Sequence, residues 1–324
     1  MADGNVYTGR RTFLKATGVG SGAALVGSGT VRADERAEQT GRHDDIELHG
    51  TYWTLAGDTN PAPIPGREWS RFSLEERVEL AAEVGFEGFG LWHADLQHIM
   101  REKSLAEIAA IFDDYGIDYI ELEFLGAWFL DESDERRQAA EERWQLLLQA
   151  AEALDAHHIK VGNIRGFEAP RSQVATAFER LCQEAARHGT SVGLEIMPVD
   201  PNVTSLDEAA AVTGAPSNGG ILLDTWHISK MEISMEDLTQ IDRDNLVHVE
   251  LNDGYNSGES ITYQTTRQRM LPGEGTFDVS GFIDSVQEIG YDDPWGVEVL
   301  SDYLRGLPIE AAFQRTYDQT MAQF

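Results

Sequence analysis

Short apolar segments rich in β-branched and aromatic residues alternate with helix-like segments along most of the chain. Such runs are typical of buried strands, and the stretches between them repeat their apolar residues at helical spacing. The strand-like runs cover residues 46–54, 86–92, 118–125, 158–163, 191–196, 220–224, 246–251 and 295–300. Regular alternation of this kind predicts an α/β fold with a parallel sheet. With eight repeats, it predicts a single (β/α)8 TIM barrel over residues 46–324.

The intervening segments carry recognisable helix signals. Ser73 is followed by Glu76 in a capping-box pattern that ends at Gly85, and Ser104 opens a similar segment that ends at Gly116. Further helices are predicted over residues 133–156, 170–188, 205–213, 235–241, 279–289 and 308–323. A doubly wound open sheet is the alternative fold. It normally has a glycine-rich phosphate loop after the first strand, and TYWTLAGDTNPAPIPG is not such a loop.

Acidic residues close four of the predicted strands. Glu195 ends SVGLE, Asp224 ends GILLD, Glu250 ends LVHVE and Glu298 ends WGVE. The carboxyl ends of barrel strands meet at one rim, so these carboxylates are expected to converge. Acids are costly to desolvate unless a cation lies among them. Four converging carboxylates would form an oxygen-only site for a hard divalent metal ion.

The charge of the chain restricts its partners. The formal net charge is −31, from 56 acidic and 25 basic residues, and only four residues are lysine. A surface of this sign repels phosphate, so nucleic acid is not an expected partner. Acidic excess with little lysine resembles proteins of salt-loving organisms, because high salt screens the self-repulsion. The single cysteine, Cys182, cannot form an internal disulfide and is interpreted as a core residue.

The N-terminus has the pattern of a targeting segment. Arg10 and Arg11 precede a weakly apolar stretch over residues 16–31 that is too short and glycine-rich for a membrane span. The pattern resembles a twin-arginine export signal. We therefore predict a signal segment over residues 1–33, a polar linker over residues 34–45, and export through the twin-arginine machinery to the outside or surface of the cell.

The ordered motifs LEIMP, LLDTWH, HVELND, RMLPGEG and GVEVLS resemble the xylose-isomerase-like superfamily of sugar isomerases, epimerases and dehydratases. The resemblance covers residues 46 to 315. It implies that Glu195, Asp224, Glu250 and Glu298 hold the metal, in that order. The third position departs from the pattern, because His or Gln is usual there. A fourth carboxylate favours Mn²⁺ or Mg²⁺ over Zn²⁺, and His248 on the same strand face is a further candidate.

Other residues are predicted to contact the substrate. The resemblance implies this role for His227. Strand-end position or chemistry suggests it for five others, namely Trp53, His93, Glu123, His248 and Arg269. An aromatic side chain such as Trp53 can stack on a sugar face or pack in the core. Arg269 can grip an anionic or hydroxyl group or pair with an acid of the chain.

Three functions remain open from the sequence. The first is a metal-dependent isomerase or epimerase of a sugar or polyol, in which the resemblance gives Glu195 and Glu298 the proton transfers through an enediolate. The second is a dehydratase or lyase that uses the same site for β-elimination. The resemblance suggests it, because the family's dehydratases also have a third ligand other than His and a long loop before the eighth strand. The interval from Glu250 to Glu298 is 48 residues here. The third is an exported sugar-binding protein. The sequence leaves open whether the chain forms a homo-oligomer.

Overall fold

The structure is a computed structural model that describes residues 46–61, 64–214 and 218–324. The predicted signal segment (1–33) and linker (34–45) lie outside the described residues. Within those described ranges, no helix combines the length and apolar character needed to cross a membrane.

Eight parallel strands close into a barrel in chain order, and the first pairs with the last. The prediction of a single (β/α)8 TIM barrel is therefore confirmed. The strands are β1 Leu48–Gly50, β2 Gly88–Trp92, β3 Tyr119–Leu125, β4 His158–Gly162, β5 Ser191–Glu195, β6 Gly219–Asp224, β7 Leu246–Leu251 and β8 Trp295–Val297.

Helices follow the strands and cover the outside of the barrel. The helices are α1 Tyr52–Leu55, α2 Leu74–Val84, α3 His93–Ile99, α4 Leu105–Tyr115, α5 Glu135–Leu154, α6 Arg171–Ala185, α7 Leu206–Thr213, α8 Thr225–Lys230, α9 Met235–Leu238, α10 Ile261–Arg267, α11 Val279–Ile289, α12 Asp302–Arg305 and α13 Ile309–Met321. Both predicted capping boxes form, and Ser73 accepts a hydrogen bond from the backbone N–H of Glu76. Gly85 ends α2 with φ of 118°, a conformation that only glycine adopts at little cost.

The two faces of the strands differ in polarity. On β3, Ile120 and Leu122 pack in the apolar core between sheet and helices, whereas Glu121 and Glu123 alternate with them and point into the barrel. Strand β7 repeats the pattern. Barrel interiors are usually filled by branched apolar residues. The interior of this barrel is instead polar, and it holds the candidate site.

The first predicted strand is shorter than expected. Residues 46–54 contain β1 only to Gly50, and the chain then turns into the short helix α1. The turn forms because the backbone N–H of Tyr52 donates to Glu123 Oε1 at 2.8 Å instead of continuing the sheet. Trp53 therefore lies on a helix rather than at a strand end. Likewise β8 ends at Val297, so Glu298 follows the strand directly.

Candidate metal centre

The four strand-end acids meet inside the C-terminal rim of the barrel. Glu195 and Asp224 are the last residues of β5 and β6, Glu250 lies in β7, and Glu298 follows β8. One carboxylate oxygen from each lies within 4.8 Å of the other three, and all four side chains are buried. We call these residues the four-carboxylate cluster. The convergence expected from their positions on the strands is thus present in the structure.

Local hydrogen bonds fix the orientation of Asp224. Its Oδ1 caps helix α8 by accepting from the backbone N–H groups of Trp226 at 2.7 Å and His227 at 3.1 Å. Its Oδ2 accepts from Asn252 Nδ2 at 2.9 Å and Arg269 Nη1 at 2.6 Å. Burial favours the neutral acid, but Arg269, His227 and the hydrogen bonds to the carboxylate together outweigh burial and hold the pKa of Asp224 below its usual value.

A buried lysine lies against the cluster, and the sequence analysis missed it. Lys160 Nζ is 2.5 Å from Glu250 Oε1 and 2.9 Å from Glu298 Oε1. The same ammonium lies 3.4 Å from Glu123 Oε2 and 3.6 Å from Glu121 Oε1. The signal was present in HIKVGN, because strand alternation turns Lys160 to the barrel interior in a chain with only four lysines.

Arg269 supplies a second cation from the loop after β7. Its Nη1 donates to Asp224 Oδ2 at 2.6 Å and to Glu298 Oε2 at 2.9 Å, and the side chain is 3% exposed. The guanidinium also lies over the ring of Trp226, 5.4 Å from its centroid. Arg269 therefore neutralises acids of the cluster while one edge of its side chain lines the cavity above.

The residues present fit a divalent metal ion. Four carboxylates face two cations, and both oxygens of Glu250 lack a hydrogen-bond donor among the described residues, although Lys160 lies close to one of them. Burial and repulsion by Glu298 raise the pKa of Glu250 well above its usual range. A divalent ion held by Glu195, Asp224, Glu250 and Glu298 would supply the missing positive charge through an oxygen-only donor set.

A cavity of about 810 Å³ opens above the cluster. Glu195 and Glu298 line it, and His227 Nε2 lies 2.9 Å from Glu195 Oε1. The other predicted contact residues on its wall are Trp53, His93, Glu123 and Arg269. Burial lowers the pKa of His93 to about 3, so its imidazole is neutral at physiological pH. The assignment of these residues to substrate binding stays a prediction.

The structure places His248 away from this cavity. The side chain is fully buried toward the N-terminal ends of the strands, where its Nδ1 faces the hydroxyls of Tyr119 at 3.0 Å and Tyr291 at 3.1 Å. Its Nε2 faces His49 Nδ1 at 3.2 Å. Sequence alternation placed His248 and Glu250 on one strand face, as observed, but could not show that His248 lies one layer deeper.

A closed (β/α)8 barrel with buried acids below a cavity at its C-terminal rim defines the class of TIM-barrel enzymes. Residues 78–319 match the model of the family described as xylose isomerase-like TIM barrel. This match covers most of the chain, so the protein belongs to the xylose isomerase-like TIM barrel family.

Individual relatives are distant. The chain is 23% identical over 260 residues to a 3-dehydroshikimate dehydratase of Pseudomonas aeruginosa, covering 74% of this chain and 38% of that protein. It therefore spans about two-fifths of the length of that dehydratase. It is 22% identical over 262 residues to an inosose isomerase of Bacillus velezensis, covering 77% of this chain and 91% of that protein.

Solved structures show the same fold. The IOLI protein with a binding zinc atom superposes with a TM-score of 0.72 at 19% identity, over 86% of this chain and 98% of that one. A D-allulose 3-epimerase from Methylomonas superposes with a TM-score of 0.64 at 16% identity, again over 86% and 98% of the two chains.

Proposed function

We propose that the protein is a divalent-metal-dependent isomerase or epimerase that acts on a sugar or polyol ketone through an enediolate. The observation that carries this proposal is that Glu195 and Glu298 belong to the four-carboxylate cluster and also line the cavity. They reach it from β5 and from the end of β8, so they approach a bound molecule from different sides. The relatives named inosose isomerase and D-allulose 3-epimerase support a small carbohydrate substrate.

The chain provides an acid and a base for moving one proton. When bound, the metal ion supplies Lewis-acid polarisation of the substrate carbonyl, which acidifies the neighbouring C–H bond. Glu298, oriented by Lys160 and Arg269 at 2.9 Å each, removes that proton. Glu195, held by His227 at 2.9 Å, returns a proton from the other side. Return of the proton to the same carbon inverts that carbon. Return to the former carbonyl carbon, with transfer of the hydroxyl proton from one oxygen of the enediolate to the other, produces the isomer.

The cavity wall suits a ring with apolar and hydroxylated faces. Trp53 and Trp92 lie with ring centroids 4.8 Å apart, and Trp226 contributes a third indole to the wall. Indole rings pack on the C–H face of a sugar and exclude water from it. Exclusion of water strengthens the electrostatic interactions that cations of the site, such as Arg269, make with the negative charge that develops on the substrate.

Proton NMR in D₂O tests the reaction directly. Metal-loaded protein in high salt is incubated with a panel of ketoses, inososes and 3-keto-glycosides. The expected result is deuterium at a carbon next to the carbonyl together with a new isomer. The Glu298→Gln variant, folded by circular dichroism, should give neither signal. Equal exchange by wild type and variant would refute the assignment of the base.

A dehydratase is the second candidate, and a specific feature of the cavity favours it. Arg143 and Arg165 place two guanidinium groups on the cavity wall, where Glu68 interacts electrostatically with Arg143. In a chain of net charge −31, cations at this position match a substrate that carries a carboxylate. The relative named 3-dehydroshikimate dehydratase agrees with this chemistry.

The same NMR experiment separates the two reactions. Elimination would produce a new vinylic or aromatic signal with loss of water, and 3-dehydroshikimate should then react faster than neutral inososes. The Arg143→Gln variant should raise KM for the carboxylate substrate and leave KM for neutral ketones unchanged. If deuterium exchange and a new isomer appear without any vinylic or aromatic signal, the dehydratase is refuted and the isomerase retained. A protein that binds sugars without any turnover would refute both.

Three finer properties belong to this proposal. We propose Mn²⁺ or Mg²⁺ as the native ion, because the four ligands are all carboxylates. We propose export by the twin-arginine route on the basis of Arg10 and Arg11. We propose function at high salt on the basis of the acidic excess. Metal competition tests the identity of the ion. Fusion of residues 1–33 to a reporter tests export, and activity measured against salt concentration tests function at high salt.

A further inference from the structure

A second group of potential metal ligands lies deeper in the barrel. Glu121 of β3, His158 of β4 and His248 of β7 offer donor atoms that all lie within 4.8 Å of one another, and their side chains are fully buried. His49 of β1 adjoins them, with its Nε2 3.6 Å from Glu121 Oε2. We call these four residues the histidine cluster. The reaction proposed above does not use it.

Outer hydrogen bonds orient both histidine ligands. His158 Nδ1 lies 3.1 Å from His157 Nδ1, and His248 Nδ1 lies within 3.1 Å of the hydroxyls of Tyr119 and Tyr291. Each imidazole is thereby anchored through Nδ1 and directs Nε2 inward, and His158 Nε2 reaches Glu121 Oε1 at 3.0 Å. Histidines that bind metal ions are held in this way through the nitrogen that does not bind.

Two buried atoms of the histidine cluster have no hydrogen-bond partner among the described residues. They are His49 Nε2 and Glu121 Oε2, which face each other at 3.6 Å. His49 Nδ1 lies 3.2 Å from His248 Nε2, and the tautomers decide which of these two nitrogens donates. Buried polar atoms are rarely left without a partner. A positive charge beside them, from a metal ion or from a proton on His49, would satisfy Glu121 Oε2.

In the barrel interior, buried acids outnumber the cations around them. Glu121, Glu123 and the four-carboxylate cluster provide six buried carboxyl groups, whereas Lys160 and Arg269 provide two positive charges. Protons or metal ions supply the remaining positive charge, and a divalent ion at Glu121 would take the place of protons. Lys160 lies 3.6 Å from Glu121 Oε1, so it separates the two sites.

We propose that Glu121, His158 and His248 hold a second, structural divalent metal ion. Two imidazole nitrogens and one carboxylate favour Zn²⁺, whereas the carboxylate-only site above favours a harder ion. A pocket of about 280 Å³ lies at the opposite face of the barrel. Tyr291, Asp292 and Asp293 line this pocket, and Tyr291 also contacts His248.

Metal content and the absorption of bound Co²⁺ test this site without any measurement of turnover. The full chain is produced folded with Zn²⁺ and Mn²⁺, freed of loosely held ions, and analysed by elemental mass spectrometry. Wild type should retain one zinc per chain in addition to the ion of the four-carboxylate cluster. The Asp224→Asn variant should keep this zinc, and the Glu121→Gln variant should lose it. Co²⁺ should give the intense visible bands of a four-coordinate nitrogen-rich site in wild type and in Asp224→Asn.

Two results would overturn the proposal. One is a wild-type chain that never retains more than one ion. The other is zinc that disappears in Asp224→Asn and persists in Glu121→Gln. Either would mean that a proton, not a metal ion, lies between His49 and Glu121. If Glu121→Gln does not fold, Tyr291→Phe replaces it. That change preserves the packing and removes one anchor of His248, and it should weaken zinc binding about 10- to 100-fold.

Discussion

Replacement of Lys160 by methionine removes the cation on which four buried acids depend. The ammonium lies between 2.5 and 3.6 Å from oxygens of Glu121, Glu123, Glu250 and Glu298, and its own exposure is 1%. Methionine keeps most of the length and volume of the stem, so the loss of packing is small. The Lys160→Met variant therefore measures the electrostatic role of one charge in a protein from which metal has been removed.

The expected loss of stability is about 3–5 kcal/mol at pH 8. Two unit charges about 3 Å apart attract by about 5 kcal/mol at an effective dielectric constant near 20, and desolvation of the ammonium offsets much of this gain. Breaking a buried pair by removing one partner costs about 3–5 kcal/mol, because the other charge stays uncompensated. Proton uptake by the remaining acids limits this loss of stability. Burial already raises the pKa of Glu121 to about 7, and the pKa values of Glu123 and Glu250 are also raised.

The loss of stability caused by Lys160→Met should be smaller at lower pH. Without Lys160 the folded protein holds protons on these acids that the unfolded chain releases. A folded state that binds more protons than the unfolded state loses stability as pH rises. The difference between variant and wild type should therefore be larger at pH 8 than at pH 6, by up to about 1.4 kcal/mol per pH unit for each proton retained.

Urea unfolding of EDTA-treated protein at high salt, followed by tryptophan fluorescence and circular dichroism, measures these quantities. Saturating Mn²⁺ should restore most of the lost stability, since the ion supplies the missing positive charge and binds only the folded chain. The Lys160→Met/Glu250→Gln double variant should be more stable than Lys160→Met alone, because it removes both charges of the Lys160–Glu250 ion pair. Lys103→Met is the matched control, since Lys103 pairs with Glu75 at the surface. A Lys160→Met variant as stable as this control would refute the electrostatic argument.

Three further predictions concern other parts of the chain. Glu298→Gln should lower turnover about 10²–10⁴-fold with the fold intact. The control variant Glu310→Gln, on the exposed face of α13, should leave turnover unchanged. Steady-state kinetics measures turnover, and circular dichroism checks the fold. Partial burial of the carboxyl group and repulsion by Glu47 and Asp118 raise the pKa of Glu87 to about 7, so stability is lost as the pH rises from the usual Glu range to about 7. Because the side chain is well exposed, Glu87→Gln should stabilise by only about 1 kcal/mol at pH 8 and by nothing at pH 4 in urea unfolding. Arg77→Met should cost about 3–5 kcal/mol in the same assay, because it leaves Asp95 buried without its partner at 2.6 Å.

Strand-end position was a sufficient basis for predicting the barrel and the four-carboxylate cluster. The carboxyl ends of all parallel strands in a closed barrel lie at the same rim, so an acid such as Asp224 at the end of a strand must lie at that rim. The turn after β1 was not predictable in the same way. Residues 46–54 read as one strand, and the helix from Tyr52 depends on a hydrogen bond to Glu123, which lies 71 positions later.

The polar interior was also beyond the reach of sequence patterns. Glu121 and Lys160 alternate with apolar residues in their strands, and this alternation shows only that each faces the barrel. Whether such a side chain reaches the C-terminal rim or is buried in the barrel interior depends on the height of its Cα atom along the barrel axis. That height is set by the pairing of Glu121 with His158 and of Lys160 with Gly193 between strands. Register between strands far apart in sequence cannot be read from either strand alone.

Lys160 gives a physical reason for the unusual acid at position 250. A neutral ligand there would leave three carboxylates for one divalent ion. Glu250 adds a negative charge and Lys160, 2.5 Å away, adds a positive one, so the net charge around the ion is unchanged. The pair differs from a neutral residue in its donor atoms, because carboxylate replaces nitrogen or amide and the site becomes harder. The softer imidazole donors are found one layer deeper, in the histidine cluster. The barrel thus separates hard and soft donors by one buried ammonium group, which holds both sets of acids in place and would keep the two proposed metal ions apart.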